Sequence, residues 1–239
     1  MGFLLAAVGS AIGLGNIWRF SDLAYEHGGG AFLIPYLVAL LTAGIPLLIL
    51  EYGVGHERIG SAPLAYAKIN PRWEWLGWWA VIFVMFGIVL YYSVIIAWCV
   101  NFFLLSFDLG WGDDPNKFFF QEFLQVSNSP GEIGEIRTPI LSALVLVWVI
   151  SWAVVYRGVQ KGIELANKIL MPTLLLLMVL LVVWSATLEG AGAGIKAYLT
   201  PDFSKLGNPQ VWIDAYSQIF FTLSLGFGIM IAYASYLPA

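Results

Sequence analysis

Charge is scarce in this sequence. Asp, Glu, Lys and Arg together make up 11% of 239 residues, against about 25% in an ordinary soluble domain. The composition therefore excludes a water-soluble globule. The 11 Lys and Arg are outnumbered by 15 Asp and Glu, for a net charge of −4. With no basic patch, nucleic acid is not an expected partner. Cys99 is the sole cysteine, so no disulfide forms within the chain, and its apolar surroundings predict a buried, inert thiol. The two histidines, His27 and His56, sit at membrane edges. No His/Cys cluster, Ser–base pair or carboxylate pair lies in the apolar interior, which argues against an enzyme. No Asn-x-Ser/Thr acceptor occurs. The first apolar run also lacks the basic leader and small-residue cleavage site of a secretory signal.

Apolar residues are plentiful instead, at 60% hydrophobic and 16% aromatic. The pattern predicts an all-α polytopic membrane protein, a single transmembrane domain over residues 1–239. Six spans are expected, at about 3–23, 31–56, 76–106, 139–156, 164–187 and 211–236. The connections sort by charge. Arg58, Lys68, Arg72, Arg157, Lys161 and Lys168 mark one side; Asp108, Asp113, Asp114, Glu122, Glu132, Glu135, Glu189 and Asp202 mark the other. By the positive-inside rule the basic side and the N-terminus are cytoplasmic, in a cell membrane. Pro46 and Pro172 are expected to bend their helices. Glu26-His27-Gly28-Gly29-Gly30 reads as a tight outer hairpin. Trp111, Phe118, Phe119, Phe120 and Phe123 predict an outer loop folded back on the protein, with a short helix near 116–126. The run Trp73-Glu74-Trp75-Leu76-Gly77-Trp78-Trp79 reads as an interfacial aromatic belt.

Two stretches break this pattern. Gly9-Ser10-Ala11-Ile12-Gly13-Leu14-Gly15-Asn16-Ile17-Trp18-Arg19-Phe20 carries glycines, an amide and a cation within the first span. Glycine costs a helix about 1 kcal/mol relative to alanine, so three within seven residues invite the helix to open. In hydrocarbon an open helix persists only where it lines a polar cavity or holds a ligand. The sixth span repeats the oddity with Thr222-Leu223-Ser224-Leu225-Gly226-Phe227-Gly228. Two interrupted spans five helices apart point to an inverted repeat whose broken helices face each other across a binding site. The second repeat would begin at the sixth helix, which predicts that further transporter helices lie beyond Ala239. The buried carboxylate of Glu51 reads either as a proton site or as a structural acceptor that steadies the sixth helix.

Gly13-Leu14-Gly15-Asn16-Ile17-Trp18-Arg19-Phe20, Gly28-Gly29-Gly30-Ala31-Phe32, Gly44-Ile45-Pro46-Leu47 and Gln218-Ile219-Phe220-Phe221-Thr222-Leu223-Ser224-Leu225-Gly226-Phe227-Gly228 resemble the neurotransmitter:sodium symporter family. The likeness is strongest to its prokaryotic amino-acid branch and runs along the whole chain in order. It implies helices one to six of a five-plus-five inverted-repeat transporter of about twice this length. It further implies a first sodium at the Ala11 carbonyl, the Asn16 amide oxygen and Thr222, and a second at the carbonyls of Gly9 and Ile12. These are hard oxygen ligands suited to an alkali cation. An amino-acid carboxylate would meet the Leu14 and Gly15 N–H groups and the Tyr92 hydroxyl. Its ammonium would meet carbonyls of Ala11, Phe221 and Thr222 and the Ser224 hydroxyl, and its side chain Ile88, Tyr92, Phe221 and Phe227. Arg19 and Phe221 would close an outer gate, with Tyr92 between gate and substrate. Gly162 and Pro172 would bracket a hinge at the start of the fifth helix that unwinds to admit water. Tyr36, Gln218 and Thr222 match three positions of a chloride site. Neutral Gly13 favours a substrate bringing its own carboxylate, and the apolar pocket favours an aliphatic amino acid. Ser21 and His27 depart from the family pattern, where proline and asparagine are usual.

Blander readings exist for single residues. Asn16 also fits a packing amide, Arg19 a snorkelling cation, and Thr222 and Ser224 hydroxyls bonded to their own helix. At the level of the chain, the reading is sodium-driven symport of a small amino acid by alternating access. The rival is a channel or a non-transporting, substrate-binding membrane receptor.

Overall fold

The computed structural model describes residues 7–9, 11–13, 15–127, 129, 131–132 and 134–237. Among them every regular element is helical. Four helices are long and apolar enough to cross a membrane: Gly29–Arg58, Pro71–Leu105, Thr138–Tyr156 and Lys161–Ala186. They correspond to the second to fifth expected spans, with ends displaced by one to a few residues. The sixth span is absent from this set because it is not continuous. It forms two helices, Pro209–Thr222 and Ile229–Ala234, joined by a turn.

Local chemistry sets where these helices start and stop. The Asn208 side chain accepts the Gln210 N–H at 3.0 Å and caps the helix that begins at Pro209. Asn70 does the same for Arg72 ahead of the third span. Lys68 Nζ donates to the carbonyls of Arg58 (2.6 Å) and Ile59 (2.8 Å), satisfying the end of the second span where Ile59 turns to φ +45°. A π-helical stretch, Leu40–Gly44, directly precedes the helix Ile45–Arg58, so the pairing widens just before Pro46, whose ring nitrogen has no N–H to donate. Pro172 lies within the unbroken helix Glu164–Ala186.

The chain gathers into two units, 1–83 with 159–239, and 84–158. In the first, Phe32, Leu23, Ala24, Val211 and Ala215 form one buried cluster, flanked by Phe20, Tyr36 and Tyr198. Ala62, Ala65 and Ile231 form another, flanked by Val54 and Tyr66. The triple glycine is more than a hairpin tip. Gly28 and Gly29 have φ of +92° and +60°, and a Cβ on Gly29 would lie 2.7 Å from both the Thr200 and the Tyr198 carbonyl oxygen. The Asp202 N–H donates to the Gly28 carbonyl at 2.9 Å. Residues 28–30 are therefore the seat of the outer segment 198–202, and Gly29–Phe32 winds as a 3₁₀ turn.

In the second unit the helix Thr138–Tyr156 packs on Leu90–Leu105, with Asn101 Nδ2 donating to the Ala97 (2.8 Å) and Pro139 (3.1 Å) carbonyls. The expected aromatic outer loop forms short helical turns over Pro115–Lys117 and Phe118–Phe123. Phe102 meets Trp111, Phe118, Phe119 and Phe123 with ring centroids 5.4–6.2 Å apart. Arg137 ties the loop's end to the Glu122 and Phe123 carbonyls. The expectation of a buried Cys99 fails: the residue is exposed. It lies on the outer surface of an apolar helix, where a low-charge sequence does not distinguish a lipid-facing side chain from a protein-facing one.

Candidate functional site

The first span is interrupted where its glycines predict. Ile12 and Gly13 lie outside helical structure, and the helix resumes as a π-helical turn, Gly15–Arg19, leading into Phe20–Glu26. The Ile12 N–H still reaches the Val8 carbonyl at 3.0 Å and the Asn16 N–H the Gly13 carbonyl at 3.1 Å. Across the gap, Asn16 Nδ2 donates to the Ala11 carbonyl at 3.3 Å. Two of the expected sodium ligands, Ala11 and Asn16, are thus direct neighbours. Leu14, an expected carboxylate contact, lies outside the described residues.

The sixth span opens over residues 223–228. Ser224, Gly226 and Gly228 take φ of +53°, +79° and +72°. Two of these three positions are glycine, the residue that adopts this conformation without steric cost. Ser224 is nonetheless buried. The Gly226 N–H, free of any helical partner, donates to Glu51 Oε1 at 2.7 Å. Glu51, projecting from the second span, is only 9% exposed, so its carboxylate serves as the acceptor that the opened backbone needs.

Gln218 joins the two breaks. Its side chain is fully buried. Nε2 donates to the Gly15 carbonyl at 2.9 Å and to Thr222 Oγ1 at 3.3 Å, while Oε1 accepts from Arg19 Nη1 at 3.0 Å. Thr222 also hydrogen-bonds the Tyr36 hydroxyl. Phe221 presses on the first span, since a Cβ on Gly15 would stand 3.0 Å from its ring. Gly15, Arg19, Tyr36, Gln218, Phe221 and Thr222 therefore form one cluster, in which the three expected chloride positions are adjacent. Between the same helices, His27 Nε2 and Asp214 Oδ2 stand 2.9 Å apart, at the position where the family pattern has asparagine.

Phe227 stacks on Phe83 at 5.9 Å. Ile88 and Tyr92 belong to the second unit, where the Tyr92 ring stands edge-on to Tyr91 at 6.0 Å. Gly162 falls in a π-helical turn, Val159–Ile163, and the stretch from there to Pro172 is wound. Gly9 abuts Asn167 of the fifth span. Two partners in this arrangement, Phe83 and Asn167, escaped the sequence reading. Asn167 carried a visible signal, an amide in the same hinge stretch as Gly162 and Pro172.

The donors fit an alkali cation. They are carbonyl, amide and hydroxyl oxygens at Gly9, Ala11, Ile12, Asn16 and Thr222, all hard ligands, and no group of three His, Cys, Asp or Glu is found among the described residues. The helix that resumes at Gly15 turns its N-terminal end toward the break, which favours an anionic group there.

Two opened membrane helices brought side by side are the arrangement on which many secondary transporters are built. The family profile described as the sodium:neurotransmitter symporter family matches residues 1–115 and 111–239, and the chain belongs to that family. It is 55% identical over 238 residues to an uncharacterised sodium-dependent transporter of Methanocaldococcus jannaschii, covering 100% of this chain and 48% of that protein. It is 36% identical to the mouse sodium-dependent neutral amino acid transporter B(0)AT1, over 98% of this chain and 40% of that one. Among solved structures it is similar to MhsT in complex with L-phenylalanine, with a TM-score of 0.78 and 38% identity over 98% of this chain and 52% of that one. The chain spans about half the length of the relatives it matches.

Proposed function

We propose that this chain forms the sodium- and substrate-binding half of a symporter that couples sodium entry to uptake of a small, aliphatic amino acid across the cytoplasmic membrane, with the N-terminus inside. Gln218 carries the reading. One buried amide bonds the start of the resumed first span at Gly15 and the last residue before the second opening, Thr222, which supports a site shared by the two breaks. At that site Ala11, Asn16 and Thr222 offer oxygens to one sodium, and Gly9 and Ile12 to a second. A substrate carboxylate faces the N-terminal end of the helix at Gly15. Neutral Gly13 supports a substrate that supplies its own negative charge.

The chain's own groups supply the coupling. A sodium at Asn16 and Thr222 adds positive charge beside the carboxylate position, so each solute favours the other's binding. Arg19, held by Gln218, and Phe221, held by Gly15, stand on the outer side as the gate. Tyr36, Gln218 and Thr222 are where an anion would enter. Gln218 Nε2 would then have to exchange its bond to Thr222. Counterflow of a radiolabelled aliphatic amino acid into liposomes holding the full-length protein, with and without a sodium gradient, tests the proposal. Accumulation only with sodium is expected; uptake indifferent to sodium would refute it.

A further inference from the structure

The contact between the first and fifth spans has a polar point. If a Cβ is built on Gly9, its three nearest heavy atoms all belong to the Asn167 side chain: Oδ1 in clash, Cγ at 2.8 Å and Nδ2 at 3.4 Å. The carboxamide oxygen therefore occupies the place a Cβ on Gly9 would take, and a larger residue there would have to displace the Asn167 side chain. Asn167 is also tied within its own helix. Its Nδ2 donates to the Ile163 carbonyl at 3.0 Å, in the π-helical turn Val159–Ile163 that holds Gly162. Nearby the two spans border an apolar space of about 440 Å³, lined by Val8, Ile12, Ile17, Met171, Pro172 and Met178 among others. The amide thus meets the first span at a residue whose carbonyl is proposed to hold sodium.

We infer that Asn167 is a positioning residue that makes sodium retention at Gly9 depend on the winding of residues 162–172. While the Ile163 carbonyl stays in place, Nδ2 is held and the carboxamide keeps the Gly9 peptide in register. Unwinding from Gly162 carries the Ile163 carbonyl away, frees the carboxamide and removes the support behind Gly9. The inference rests on the proposed role of the Gly9 carbonyl at the second sodium. It adds the physical contact through which the fifth span would act on that site.

The test uses Gly9→Ala, Asn167→Ala and the double variant in the full-length protein. Gly9→Ala alone should depress sodium-driven uptake and lower the melting temperature of the purified protein. The double variant should recover both to the level of Asn167→Ala, because the side chain that the new methyl strikes is gone. Asn167→Ala alone should raise the sodium concentration for half-maximal uptake about tenfold, the scale of one lost neutral hydrogen bond. It should also speed labelling of a cysteine introduced at Ile163 by a thiol reagent applied from inside, in a Cys99→Ser background. A double variant as impaired as Gly9→Ala would overturn the inference, as would Asn167→Ala with unchanged sodium dependence and labelling. Melting and labelling do not require transport. A protein indifferent to sodium would therefore defeat the symport reading while leaving the Gly9–Asn167 contact separately measurable.

Discussion

Glu51 offers the sharpest test of how the sixth span stays open. Glu51→Ala removes the acceptor 2.7 Å from the Gly226 N–H, in a site only 9% exposed. Gly226 cannot recover a helical partner, because φ of +79° there and +53° at Ser224 turn the backbone out of helical register. A buried donor left without a partner costs about 1–3 kcal/mol. For a chain of this size that corresponds to a fall in melting temperature of about 2–12 °C. Glu51→Gln keeps an acceptor oxygen and loses only the charge-assisted part of the bond, so it should cost about 1 kcal/mol. Oε2 has no hydrogen-bond partner among the described residues, so the amide nitrogen replacing it breaks no existing bond.

Melting of the detergent-purified variants and amide exchange across residues 223–228 read the two substitutions side by side, with uptake measured in parallel. The order expected for both melting and uptake is wild type, then Gln, then Ala, with exchange at 223–228 fastest in Ala. A Glu51→Ala protein that melts within one degree of wild type would refute the acceptor role. A Glu51→Gln protein of wild-type stability without uptake would instead make the carboxylate a proton site.

Gln218→Leu should remove the donor to the Gly15 carbonyl and release Arg19, costing about 1–2 kcal/mol in melting experiments, with sodium-driven uptake lost; near-normal uptake would remove the bridge between the breaks. Asn16→Ala should abolish sodium-dependent uptake while shifting melting by only about 1 kcal/mol, since a single half-buried bond to Ala11 is lost; the sodium titration of uptake checks it. Gly29→Ala should destabilise by about 1–3 kcal/mol through its left-handed φ and two carbonyls at 2.7 Å, read as faster proteolysis of the 198–202 segment.

Much of this arrangement was legible in the residues because the relevant signals are local. Glycine spacing located both interruptions, and Glu51 declared itself as a carboxylate among apolar neighbours. The signals that failed are those set by distant contacts. Nothing local to Gly28-Gly29-Gly30 distinguishes a free hairpin from the seat of residues 198–202, because the carbonyls that exclude a Cβ come from about 170 residues away in sequence. Pro46 announced a missing donor, yet the π turn at Leu40–Gly44 that precedes it has no local signature in the residues. Cys99 misled for a related reason: hydropathy is equally satisfied by lipid and by protein.

The two interruptions are held by a common device, which explains why neither collapses into regular helix. At the sixth span, Glu51 on the continuous second span accepts the Gly226 N–H. At the first, Gln218 on the continuous helix Pro209–Thr222 donates to the Gly15 carbonyl. In each case a side chain from an intact helix bonds the backbone of an opened one: at Gly226 the carboxylate stands in for a lost helical acceptor, while at Gly15 the amide adds a second donor to the first carbonyl of the resumed helix. Because the helix that carries Gln218 ends at the second opening, a displacement at either break is transmitted along one rigid segment to the other.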